Sequence, residues 1–87
     1  MGRKVIVVGD PTDHGGRVIS GSATQQINGK AIARLGDQVD CPQKGHGINA
    51  IVEGEPSMLI NGIPVALEGH KTACGCTLLG TSAAEHG

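Results

Sequence analysis

Phenylalanine, tyrosine and tryptophan are all missing from this 87-residue chain. Their absence removes the largest single burials of an ordinary core and the stacking platforms that hold single-stranded nucleic acids. Apolar burial must come from Val, Ile, Leu, Ala and two Met. Long hydrophobic runs are missing as well. Val5 to Val8 is too short for the core of a secretory signal and far too short to span a bilayer, so the chain reads as made in the cytoplasm without a Sec signal. No charge of one sign dominates. Seven basic residues are scattered among eight acidic ones, the net charge is -1, and no basic run offers a surface for nucleic acid. Three cysteines are too few, and the wrong number, for a disulfide framework within the chain.

The length allows one domain, over 1–87 with a core at about 5–82, and leaves no room for a fused effector domain. A chain this small and this poor in large side chains needs a staple. In a reducing compartment the cysteines read as metal ligands or small buried residues. Fifteen glycines argue against long helices.

An internal repeat organises the sequence. Val5-Ile6-Val7-Val8-Gly9-Asp10, Ile32-Ala33-Arg34-Leu35-Gly36-Asp37 and Val65-Ala66-Leu67-Glu68-Gly69-His70 are each a short apolar run ended by Gly-Asp or Gly-His. Each is followed, five residues after the Gly, by a His or Cys: His14, Cys41 and Cys74. A second unit, ending Ile27-Asn28-Gly29 and again Ile60-Asn61-Gly62, alternates with the first. Such a period indicates stacked or symmetry-related units. The Asn-Gly pairs predict type I′ turns, in hairpins over 23–35 and 56–68. Further short strands are expected at Val5 to Val8, Arg17 to Ser20, Ile48 to Glu53 and Thr77 to Gly80. The fold class is therefore all-β.

Equivalent positions in related units converge, so His14, Cys41 and Cys74 are candidate ligands of one ion. The middle unit carries an insertion after Cys41 that supplies His46 in a C-x₄-H pair. The expected set for a closed tetrahedral Zn²⁺ site is His14, Cys41, His46 and Cys74. His70, which stands where the other units have Asp, and Cys76, two residues past Cys74, are alternative ligands. Asp10 and Asp37 are expected to cap turn N–H groups or to orient a ligand histidine. A catalytic zinc would keep an open position beside a general base; no H-E-x-x-H occurs, so no enzyme is expected, and the ligand spacings fit no zinc-finger pattern.

Gly9-Asp10 with Thr12 and His14-Gly15-Gly16, Cys41-Pro42 with His46-Gly47, the two Ile-Asn-Gly turns, and Lys71-Thr72-Ala73-Cys74-Gly75 together resemble a PAAR-repeat protein over nearly the whole chain. The literal Pro-Ala-Ala-Arg motif is degenerate here, as Lys30-Ala31-Ile32-Ala33-Arg34 and Ile63-Pro64-Val65-Ala66-Leu67. The resemblance implies a small cone of short hairpins with the metal near its apex. It also implies a role as the tip that caps a homotrimeric VgrG-type spike of a type VI secretion system, one chain per trimer. Such a tip is a monomer on its own, travels outward with the spike, touches target membranes transiently and carries effectors non-covalently. The alternative reading is a metal-stapled tip of another contractile, phage-tail-like spike.

Overall fold

The structure is a computed structural model that describes residues 3–42, 47–82 and 84–86. All regular elements among them are strands: β1 (Arg3–Lys4), β2 (Arg17–Val18), β3 (Gln26–Ile27), β4 (Lys30–Ala31), β5 (Gln38–Cys41), β6 (Gly47–Ala50), β7 (Glu55–Ile60), β8 (Ile63–Val65) and β9 (Glu85–His86). The described chain measures 33 × 25 × 24 Å along its principal axes.

Both Asn-Gly turns form. Asn28 and Asn61 have φ of 52° and 53°, and the glycines after them 81° and 80°, the double positive φ a type I′ turn requires. They join β3 to β4 and β7 to β8, the second pair with a register shift between Glu55 and Leu59. The place of a third such hairpin is taken by β1 and β9, which pair Arg3 with His86 and Lys4 with Glu85. The segment Val5 to Val8 is not a ladder strand. It makes isolated bridges, Val5 to Leu67 and Val7 to Ile32, because it lies among its own repeats rather than beside one partner.

The repeats close on themselves. Ile6 donates its N–H to Ala66 O at 3.0 Å, Ala66 to Ala33 O at 3.0 Å, and Ala33 to Ile6 O at 2.8 Å. A second ring follows two residues on: Val8 to Ala31, Leu35 to Pro64 and Glu68 to Lys4, each 2.8 Å. A third joins Ile19 to Gln38, Val52 to Lys71 and Leu79 to Pro11 at 2.9–3.0 Å. One chain thus has a backbone with approximate three-fold symmetry. Main-chain bonds demand no particular side chain, which is why units as different as Ile-Val-Val and Ala-Leu-Glu can share one arrangement.

The core follows the same order. Ile6, Ala33 and Ala66 meet with Val18, Ile51 and Leu78, all fully buried, and Val39 joins them. Ile6 stands against two alanines, so one large and two small side chains fill the centre. A second cluster, Val5, Val7, Ile32, Val65 and Leu67, underlies the hairpins and is covered by Ile27, Met58, Ile60 and Ala84.

Candidate metal centre

Each repeat turns at its Gly-Asp or Gly-His pair, and the same bonds recur there. Asp10 Oδ2 accepts the Val7 N–H at 2.9 Å and Asp37 Oδ2 accepts the Arg34 N–H at 2.7 Å. His70 does the same with its ring: Nδ1 accepts the Leu67 N–H at 2.9 Å. The accepting nitrogen must be unprotonated, so the proton of neutral His70 sits on Nε2. Burial pushes the His70 pKa below its ordinary value, and the Arg3 guanidinium adds to this. His70 is therefore a stand-in for aspartate at a turn. Asp10 is buried and also accepts from the Thr81 hydroxyl; Asp37 accepts from Ser20 at 3.2 Å and pairs with Arg34 at 3.3 Å.

Beyond these turns the first and third units make a second, tighter one. Thr12 Oγ1 accepts the Gly16 N–H at 3.0 Å, and Thr72 Oγ1 accepts the Cys76 N–H at 3.2 Å. Gly15 and Gly75 lie inside these turns with φ of 81° and 89°. In the middle unit the Thr position is Val39, which has no hydroxyl to close the turn. There the chain forms the β5–β6 pair instead, with Cys41 opposite Gly47.

These turns bring three donor groups together. His14, Cys41 and Cys76 present ligand atoms that all lie within 4.8 Å of one another. Cys76 Sγ is 3.0 Å from His14 Nδ1 and 3.3 Å from Cys41 Sγ. Cys74 stands beside this trio, its Sγ 3.2 Å from Cys76 Sγ and 3.3 Å from the Thr72 hydroxyl. Cys41 and Cys76 are buried, Cys74 half-buried, and no disulfide joins them. Burial opposes ionisation of Cys74, but hydrogen bonding with Thr72, Cys76 and Cys41 outweighs it and brings the thiol down to about 6. Cys76 is pushed up to about 12 by burial and by the two thiols it faces.

The donor set fits a metal ion. Two buried thiols and an imidazole from three distant segments are soft ligands. The edges of a tetrahedron around zinc, with Zn–S about 2.3 Å and Zn–N about 2.0–2.1 Å, are roughly 3.5–3.8 Å. The separations from Cys76 to His14 and to Cys41, 3.0 and 3.3 Å, are about half an ångström shorter, and His14 and Cys41 lie within 4.8 Å of each other.

Of the residues singled out in the sequence, His14 and Cys41 are thus adjacent to each other and to Cys76. Cys74 is one sulfur further out, His70 has its Nδ1 committed to a turn, and His46 lies outside the described residues. Cys76, named in the sequence as an alternative ligand, stands with His14 and Cys41. Aligning Gly15 with Gly75 equates Cys76 with Gly16, whose absent side chain would come 2.3 Å from Asp40 O and 3.1 Å from the Cys41 Cα. The first unit has no side chain at that position, and the third uses it for a donor.

No curated protein sequence matches the chain. A family profile for the PAAR motif matches residues 8–80, which takes in the three turns, the two Asn-Gly hairpins and all of the His/Cys cluster. The chain belongs to the PAAR-repeat family, the structural spike-tip proteins of type VI secretion systems.

Proposed function

We propose that the chain caps the distal end of a homotrimeric VgrG-type spike, one chain per trimer, and that it sharpens the spike for passage through a target membrane. The observation that carries this reading is the closed set of backbone rings, Ile6 to Ala66 to Ala33 and its two companions. They give a single polypeptide three near-equivalent faces, which suits a partner with three identical subunits. Pairing through main-chain groups tolerates the differing side chains of the three units. Effectors would travel bound non-covalently, and the tip would leave the cell with the spike.

A structural Zn²⁺ serves this role, because a small body without aromatic side chains gains rigidity from a metal whose binding is coupled to folding. His14, Cys41 and Cys76 would hold it, and the C-x₄-H spacing of Cys41 and His46 makes His46 the proposed fourth ligand. Cys74 is then a thiol beside the site, not one of its four donors.

Titration of the metal-loaded chain against a purified trimeric spike, followed by light scattering, tests the capping geometry. One chain per trimer is expected; three per trimer would contradict it, because each subunit would then carry its own copy.

A further inference from the structure

The three sulfurs form a cluster that is half-buried at Cys74 and buried at Cys76 and Cys41. Half-buried Cys74 is 3.2 Å from Cys76, and buried Cys76 is 3.3 Å from buried Cys41. Cys76 is the middle sulfur, in contact with one neighbour two residues away and another 35 residues away. With His46 as the fourth ligand, as proposed above, four-coordinate zinc held by His14, Cys41 and Cys76 leaves the outermost thiol unused.

We propose that this cluster is a thiol–disulfide relay, which joins Cys41 to Cys76 when the metal has left and a small-molecule disulfide is present as oxidant. Cys74 is the accessible sulfur and attacks first. Its thiolate bonds to one sulfur of the oxidant R–S–S–R and expels RS⁻, which leaves a mixed disulfide on Cys74. Cys76, in contact, attacks the Cys74 sulfur and expels the second RS⁻. Cys41 then attacks the Cys76 sulfur and returns Cys74 as a thiol. Two cysteine thiols have lost two electrons, and the oxidant has become two thiols that carry the two protons.

The last exchange is driven by geometry. A Cys74–Cys76 bond closes a small ring across Gly75 and must distort a turn held by Gly75 N–H to Thr72 O at 2.9 Å and Cys76 N–H to Thr72 Oγ1 at 3.2 Å. A Cys41–Cys76 bond joins two segments already in contact and leaves that turn alone. It ties β5 of the middle unit to the third unit, the same two segments the metal would join. The tip would be stapled by an ion in a reducing compartment and by a covalent bond in an oxidising one.

The inference builds on the ligand trio proposed above but stands on sulfur positions, so it is independent of spike binding. The test incubates the zinc-loaded chain with oxidised glutathione, with and without a chelator, and follows zinc release, thiol count, intact mass and peptide linkage. With chelator, the expected product is an intramolecular Cys41–Cys76 disulfide with Cys74 still titratable; without it, oxidation is at least about tenfold slower. Cys74→Ser should give the same disulfide about tenfold more slowly, and Cys41→Ser should stop at Cys74–Cys76. A stable glutathione adduct on Cys74, an unchanged rate in Cys74→Ser, or scrambled intermolecular linkages would each overturn the relay. Spike binding by the metal-loaded chain is measured separately, so either proposal can fail alone.

Discussion

Two regions of this molecule solve the same problem by different means. Around Ile6, Ala33 and Ala66, three segments are joined by equivalent backbone bonds and an apolar plug, and the side chains differ only in size. Around His14, Cys41 and Cys76, three segments meet through groups that differ in kind, an imidazole and two thiols. The first region keeps the repeat and the second breaks it. Symmetry in the backbone leaves the side chains free to diverge, and they diverge most where a metal needs a particular donor set.

Removing a donor should have the largest effect. Cys41→Ala or Cys76→Ala should abolish metal binding and with it a contribution on the order of 10 kcal/mol for a structural zinc. Thermal melts followed by circular dichroism would then show a midpoint far below the parent's. Unimpaired folding of either variant without metal would mean that the apolar region suffices alone. A strike at that region is expected to cost less: Ile6→Ala should lower stability by about 3 kcal/mol in denaturant melts, with one metal per chain retained. Loss of the metal in this variant would show that the two regions are not separable.

Gly16 and Cys76 sharpen the comparison, since they share a backbone hydrogen bond to Thr and only one has space for a side chain. Gly16→Ala should destabilise by roughly 3 kcal/mol, because its Cβ meets Asp40 O at 2.3 Å, a backbone atom that cannot swing aside. A neutral effect would mean that the first unit's turn is as open as the third's.

The smallest effect concerns His70. The folded state resists its protonation while the unfolded chain takes up a proton near the ordinary value of 6.5. The unfolded state therefore binds more protons below that pH, and stability present above about 6.5 falls as pH drops through it. His70→Asp keeps an acceptor for Leu67 N–H that does not titrate in this window. The variant should gain on the parent in thermal melts between pH 7 and pH 5, the metal-ligand titrations being common to both. Parallel melting curves would assign the acid sensitivity elsewhere.

The sequence shows the hairpins because Asn-Gly has one strong preference, and both turns adopt it. It shows the repeat because Gly-Asp and Gly-His mark the same turn three times. The Val5 to Val8 run reads as an ordinary strand because periodicity in one segment says nothing of a ring closed by three. Counting five residues from each Gly selects Cys74 first and leaves Cys76 as the alternative. The tight turn at Gly75 reverses the chain between them, and an extended reading cannot show which of two neighbouring sulfurs points inward. His70 looks like a ligand by type, and only the position of Leu67 N–H shows that its ring replaces a carboxylate.

Native mass spectrometry of the purified chain and its single cysteine variants tests the centre of this account most directly. The expected result is one metal ion per chain, absent from Cys41→Ala and Cys76→Ala and retained by Cys74→Ala. A chain that carries no metal, or a Cys76→Ala variant that keeps it while Cys74→Ala loses it, would contradict the assignment of the trio.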